Sequence, residues 1–272
     1  MSNTFAEQAR TALENLDTTL KSYAAARPQY KFVGQFLDEE GWTSDQHGVY
    51  GMGAWIALAE DSEAIRHLPA VRKITDACKI ELKRLVNEAQ GSTADAKAVG
   101  LRIVIPKICY AYIGLVSEYP TEANELSSWI AASQRPDGSW GYLTSSKTGC
   151  PEITSLVVRT FGNHPSLKEK IKTALEFLRG KYSGIDNLFL RLFTLNSLII
   201  HDDPLRLSDY RKTTKKVIRT LLNQAFFNPT RFPNPINLDF NDGKQTRYIR
   251  LSTDVIFLDS LQLISPPTTL TP

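Results

Sequence analysis

Residues 129–140 read Trp-Ile-Ala-Ala-Ser-Gln-Arg-Pro-Asp-Gly-Ser-Trp and form the most specific pattern in the chain. We expect a helix to end at Gln134, because Pro136 cannot continue it and a helix end leaves several carbonyls unpaired. The Gln134 amide can bond such a carbonyl, and Gly138 suits the turn that follows. Trp140 can then pack its ring on the apolar side chains beneath. The motif of Gln134, Gly138 and Trp140 is therefore predicted to fix a helical hairpin.

Helix-like segments that end in Gln or Gly recur along the chain. Their end markers are Gln35, Gln90, Gln134, Gly180 and Gln224. The separations, roughly 44 to 55 residues, fit one helix, a loop and a second helix, as in helical toroids and solenoids.

The helix-like segments are of two kinds. Residues 171–178 and 217–222 place apolar side chains on one face, whereas a second group is apolar on nearly every side. That second group comprises residues 53–59, 153–161, 188–200 and 255–263. Two concentric layers would produce this alternation, with the amphipathic helices outside and the apolar helices inside. We predict an all-α fold, an incomplete α/α toroid of about five hairpins; a plain right-handed solenoid is the alternative.

The pattern of residues 129–140 resembles the Gln-Trp repeat of the squalene cyclase and protein prenyltransferase superfamily. Residues 150–158 resemble the start of that family's inner helix, and degenerate repeats extend the resemblance over roughly residues 30–263. The resemblance implies an α/α toroid that is terpenoid-cyclase-like or prenyltransferase-like, and it implies an apolar or isoprenoid ligand.

The resemblance also implies a catalytic acid, because the related cyclases take their proton from an Asp-x-Asp-Asp motif that leads into an inner helix. The nearest candidates here are Asp239 and Asp242, in Asp-Phe-Asn-Asp. The middle aspartate is replaced by Asn241, and polar residues separate the motif from the next helix. A catalytic acid needs a sheltered, hydrogen-bonded site, and a flexible polar turn supplies neither. A solvated turn is the favoured interpretation.

Metal ligands are scattered along the chain. Cys150 and four histidines, at 47, 67, 164 and 201, show no grouping with zinc-ligand spacing, so we predict no metal and no cofactor. Asp202 and Asp203 resemble the Mg-binding acidic pairs of terpene synthases. They precede Pro204 at a helix end, which favours an exposed loop instead.

Several polar residues open the predicted inner helices, whose N-termini converge on one mouth in a toroid. Helix N-termini carry partial positive charge and unpaired amides, so an anionic or polar ligand group can be held there. Helix capping and salt bridges between helices are the favoured alternative. The candidate ligand-binding residues are His47, Tyr50, Glu152, Arg250 and Asp254.

A basic face is predicted on a late amphipathic helix. It consists of Arg211, Lys212, Lys215, Lys216 and Arg219. A phosphate backbone, an anionic membrane surface or an acidic protein partner would suit it, and a merely solvated face is the favoured alternative. Interleaved aromatic residues are absent from it, which argues against single-stranded nucleic acid.

The composition places limits on the class of protein. A net charge of +3 is too mild for bulk nucleic-acid binding, and three widely spaced cysteines suit reduced thiols in the cytoplasm. The first residues contain no apolar run typical of a signal peptide, and the longest apolar stretch, residues 101–116, is too short to span a membrane. We predict one domain over residues 1–264, with a helix at 1–27 covering one end and a disordered tail at 265–272.

Two hypotheses for function follow. The favoured one is a non-catalytic ligand-binding or protein-binding component of a larger assembly, because the acid motif is broken and the chain is shorter than a full ring. The alternative is a small terpenoid-cyclase-like enzyme that acts on an isoprenoid substrate, with Asp239 or Asp242 as the proton donor.

Overall fold

The computed structural model describes residues 48–61, 66–91, 94–223, 240–241, 246–247, 256 and 259–264. These residues are almost entirely helical, which confirms the all-α prediction. The helices are α1 (Gly48–Asp61), α2 (Pro69–Ala89), α3 (Ala96–Ile103), α4 (Ile105–Leu115), α5 (Pro120–Ser133), α6 (Pro151–Phe161), α7 (Lys168–Lys181), α8 (Leu188–His201) and α9 (Leu207–Asn223). Helical residues 256 and 259–264 are called the terminal segment below.

Short elements complete the described residues. Single 3₁₀ turns at Pro165–Leu167, Tyr182–Gly184 and Pro204–Arg206 flank α7 and α8. Two short antiparallel strands, β1 (Phe240–Asn241) and β2 (Thr246–Arg247), pair Phe240 with Arg247 and Asn241 with Thr246.

Helix ends fall where the sequence markers predict them. α2 ends one residue before Gln90, α5 ends one residue before Gln134, and Gly180 lies in the last turn of α7. Proline in the first turn begins α2, α4, α5 and α6, where its missing amide hydrogen costs no hydrogen bond. α8 begins instead at Asn187, whose side chain accepts hydrogen bonds from two amides of the first turn, each 3.1 Å long.

The helices pack in two groups. The first group is a central row, in which α1 contacts α4, α4 contacts α6, and α6 contacts α8. The amphipathic helices flank this row: α2 packs on α1 and α4, α5 on α4, α7 on α6 and α8, and α9 on α8. The pairing agrees with the two predicted kinds of helix, while closure into a toroid stays a prediction.

Helix α4 is a member of the central row that the periodicity analysis did not include. The apolar stretch 101–116 breaks at Val104, which has extended backbone angles, and Pro106 lies in the first turn of α4. The loop after Trp140 replaces bonds lost at this break: the Ile105 amide donates to Tyr142 O at 2.9 Å, and the Thr144 amide donates to Ile103 O at 2.9 Å.

α1 and α4 approach closely because glycines line their contact. A methyl group added at Gly53 would overlap the backbone carbonyl of Tyr110. One added at Gly114 would lie 2.8 Å from the end carbons of Ile56 and Leu82. The atom that a side chain at Gly53 would meet is backbone, so a larger residue there would force α1 and α4 apart. The atoms near Gly114 are the ends of flexible side chains, which can shift more easily.

Some predictions lie outside the described residues. These are the helix at 1–27, the tail at 265–272, and the repeat markers Gln35 and Gln224. Part of the stretch predicted as the last inner helix, residues 255–263, falls in the helical terminal segment.

Candidate functional site

The Gln134 side chain joins two successive hairpins. Its Nε2 donates to Gly138 O at 3.0 Å, to Lys170 O at 2.7 Å and to Thr173 Oγ1 at 3.1 Å. Two of these acceptors belong to α7. The recorded acceptors therefore differ from the expected carbonyls at the end of α5, and Gln134 acts between repeats.

Trp140 supplies the bond at the end of α5. Its ring is fully buried, and its Nε1 donates to Ile130 O at 3.0 Å, one of the last carbonyls of that helix. Gly138 has a φ of 83° and lies against Thr173, where a Cβ atom would overlap the backbone. Both the left-handed conformation and the close approach require glycine.

Tyr50, a predicted ligand-binding residue, lies buried near the start of α1. Its hydroxyl is 3.2 Å from the hydroxyl of Tyr142, and its ring meets the ring of Tyr110 edge-on with centroids 5.8 Å apart. Lys107 Nζ lies 5.8 Å from the centre of the Tyr50 ring. The loop after Trp140 and the starts of α1 and α4 thus converge at Tyr50.

Glu152 lies half-buried in the first turn of α6 beside Cys150. Burial raises the pKa of the Cys150 thiol to about 12, and the nearby Glu152 carboxylate adds to the increase. The thiol is therefore protonated at neutral pH. Cys150, Cys78 and Cys109, all within the described residues, form no disulfide.

Several predicted site residues lie outside the described residues, namely Asp239, Asp242, His47, Arg250 and Asp254. The two residues between the aspartates, Phe240 and Asn241, form β1 and pair with β2. Phe240 and Asn241 are thus extended, while the interpretation of Asp239 and Asp242 as part of a solvated turn stays a prediction.

A partly buried carboxyl group that the sequence analysis missed lies between the central row and the terminal segment. Asp259 Oδ2 is 2.9 Å from an Arg159 guanidinium nitrogen and accepts a hydrogen bond of 3.1 Å from Asn196. Burial raises the pKa of Asp259, and Arg159 opposes that increase. Ser260 donates to Asn196 Oδ1 at 3.0 Å. These bonds attach the terminal segment to α6 and α8.

A buried lysine with two exposed carboxylate partners connects helices of the first hairpins. Lys79 on α2 is 4 % exposed and contacts Glu60 at 2.5 Å and Glu118 just beyond α4. Burial alone would lower the pKa of Lys79, but the bonds to both carboxylates outweigh it and raise the pKa. The lysine therefore stabilises the packing of α1, α2 and α4.

Asp202 differs from the exposed loop residue that the sequence predicted. Its side chain is 5 % exposed, accepts a hydrogen bond of 2.5 Å from the Tyr210 hydroxyl, and lies 3.5 Å from Arg179 Nε. The expectation failed because α7 and α9 both pack at the end of α8 and cover this carboxylate. Asp203, by contrast, is exposed and accepts from the Leu205 amide.

The basic face lies on the exposed side of α9. All five of its residues are exposed, while Tyr210, Thr214 and Val217 are buried on the opposite side. Within the described part of the chain, Lys212, Lys215, Lys216 and Arg219 form no ion pair. Arg211 Nε donates to Leu263 O of the terminal segment at 3.1 Å.

The described residues contain no group of three or more His, Cys, Asp or Glu side chains arranged for a metal ion. None of the helices described is long and apolar enough to cross a membrane. No family model matches the chain, and no curated protein matches it. The family resemblance of residues 129–140 therefore stays a prediction.

Proposed function

We propose that the protein is a non-catalytic binding component of a larger assembly that attaches to an anionic surface through the basic face of α9. The observation that supports this most is the absence of ion pairs at Lys212, Lys215, Lys216 and Arg219 within the described residues. Each of these cations is exposed and available to an anionic partner.

Some cations on the other flanking helices are paired with carboxylates. Arg84 contacts Glu81 at 2.7 Å and also Glu88, and Arg179 lies 3.9 Å from Glu176. On α9, Asp209 is the one acidic residue. The positive charge of this helix is thus concentrated on one face, and the described residues place no carboxylate in an ion pair with Lys212, Lys215, Lys216 or Arg219.

The charge arrangement carries an energetic cost in the free protein. Arg211 and Lys215, Lys212 and Lys216, and Lys215 and Arg219 are like-charged pairs four residues apart. Each such pair destabilises a helix by about 0.2–0.5 kcal/mol. An anionic partner would relieve this repulsion, which an acidic protein and an anionic membrane surface can both do.

Ion pairs between helices support the non-catalytic part of the proposal. Asp259 is bonded to Arg159, Asp202 lies beside Arg179, and Lys79 contacts two carboxylates. Each of these contacts joins separate helices or segments and so gives its charged groups a role in packing. The enzyme alternative stays a prediction that rests on Asp239 and Asp242.

Incubation of the protein with squalene, farnesyl diphosphate or geranylgeranyl diphosphate, with and without Mg²⁺, tests the enzyme alternative. We expect no product. A product that is lost in the Asp242→Asn variant would overturn this expectation.

Affinity capture from whole-cell extract tests the binding surface. The bait is the full chain, compared with the double variant Lys215→Glu, Lys216→Glu. The matched control is Lys168→Glu, Lys172→Glu, which changes the charge equally at two exposed lysines of α7. We expect the captured protein or lipid to be lost with the α9 variant and retained with the control. Equal capture by both variants would refute the proposal.

A further inference from the structure

Leu205 is the most exposed large apolar side chain in the described part of the chain, at 87 %. It lies in the 3₁₀ turn Pro204–Arg206, which leads directly into α9. A single exposed leucine is common on protein surfaces and by itself indicates no site. Leu205 is distinguished by its position beside the basic face.

The turn that carries Leu205 is held by several bonds. The Leu205 amide donates to Asp203 Oδ1 at 2.9 Å, and the Arg206 amide donates to Asp203 O at 3.0 Å. Pro204 fixes the backbone between them. The preceding Asp202 is bonded to Tyr210 and lies beside Arg179. Leu205 is thus presented on a pre-organised turn, which lowers the entropic cost of using it in binding.

Leu205 lies next to the helix that carries the basic face. It precedes Lys212 and Lys216 by seven and eleven residues, which are spacings of two and three turns on a continuous α-helix. Its 3₁₀ turn leads directly into α9, and the buried residues Tyr210 and Thr214 lie on the side of α9 opposite the basic face. This spacing is the one expected if Leu205 and the cations meet the same partner.

We propose that this surface docks on an anionic membrane, with Leu205 inserted at the boundary between headgroups and acyl chains and the basic face against the headgroups. The inference rests on the proposed function, since it names the surface that the basic face meets. Lysine is depleted and leucine is uncommon among the residues that dominate protein–protein interfaces. Clustered cations with an apolar anchor are instead the two signals that together hold a protein on an anionic bilayer.

Vesicle co-sedimentation of the full chain tests the inference. The probes are vesicles of phosphatidylcholine alone and of phosphatidylcholine with phosphatidylserine. We expect binding to the anionic vesicles only, and weaker binding as salt is raised. Leu205→Asn is expected to weaken binding about tenfold, the factor for losing one buried aliphatic side chain. Lys215→Glu with Lys216→Glu is expected to weaken it more than tenfold.

Two controls match these variants. Ile80→Asn replaces another exposed aliphatic side chain, 64 % exposed on α2, and Lys168→Glu with Lys172→Glu reverses two charges on α7. Both are expected to bind as the parent does. A thermal melt checks that the Leu205→Asn variant folds. We expect it to fold, because the Leu205 side chain is exposed and contributes little to the core.

The outcomes separate this inference from the proposed function. Equal binding by Leu205→Asn and the parent would overturn the role of Leu205. Failure of the parent to bind anionic vesicles would overturn membrane docking. If the capture experiment then recovered an acidic protein that required Lys215 and Lys216, the basic face would remain the binding surface with a protein partner. Binding to phosphatidylcholine alone would contradict the electrostatic part of the inference.

Discussion

Replacing Trp140 with alanine tests whether the 129–140 motif holds its hairpin. The ring is fully buried, so its removal leaves a cavity as well as losing apolar burial, which costs about 3–5 kcal/mol for a large aromatic residue. The lost bond from Nε1 to Ile130 O adds little, because the Ser133 hydroxyl also donates to that carbonyl at 3.0 Å. We therefore expect the free energy of unfolding to fall by about 3–5 kcal/mol.

Urea denaturation followed by circular dichroism measures this change, and an unchanged m-value shows that only stability has altered. Trp129→Ala is the control on the same motif, because its ring is only partly buried and its Nε1 bonds to Glu125 within one helix. The control is expected to cost about 1 kcal/mol. Equal losses for the two tryptophans, or a loss below about 1 kcal/mol for Trp140→Ala, would refute the argument.

The remaining predictions concern packing and pH. Gly53→Ala is expected to lower the free energy of unfolding by about 2 kcal/mol, because its methyl group would meet the Tyr110 carbonyl. Gly180→Ala adds a methyl group in open space on α7 and is expected to raise the free energy of unfolding by about 0.5 kcal/mol. Urea denaturation measures both changes. Burial, with a smaller effect of the nearby Arg159, lowers the pKa of His201 to about 4. As pH drops from 6.5 towards 4, the histidine gains a proton in the unfolded chain but not in the folded one, so the free energy of unfolding falls. Denaturation across that range is expected to show a smaller loss for His201→Gln. The pKa of Lys79 is raised above 10.5 in the folded state, so its contribution to the free energy of unfolding is present below that pH and is lost as pH rises through the folded-state pKa. Lys79→Met is expected to be less stable than the parent at neutral pH by about 1–3 kcal/mol and to show no such loss of stability at alkaline pH.

The sequence predicted local features well. Markers such as Gln90 and Gln134 lie next to helix ends because they report the backbone directly around them. The apolar stretch 101–116 did not predict helix α4, because a continuous apolar stretch does not mark where a helix within it begins. Pro106 lies in the first turn of α4, a position that tolerates proline.

Long-range features could not be predicted in the same way. Asp259 contacts Asn196 and Arg159, which are both far from it in sequence. The residues next to Asp259 in the sequence contain no pattern that predicts these contacts. The burial of Asp202 likewise depends on packing by other helices. The exposure of Leu205 is a property of the folded surface, since an isolated leucine beside a proline has no distinctive pattern.

The contact between Gln134 and Lys170 has a consequence for recognising related chains. The acceptor is a main-chain oxygen, which every amino acid possesses. The hydrogen bond therefore requires a particular residue type at position 134 but not at position 170. Substitution at position 170 can leave the bond intact, whereas substitution of the glutamine removes its donor. Repeats built this way can diverge almost everywhere and still stack. The overall sequence identity between two such chains could then be too low to reveal that they are related. The spacing of their helix-end glutamines would still indicate the relationship.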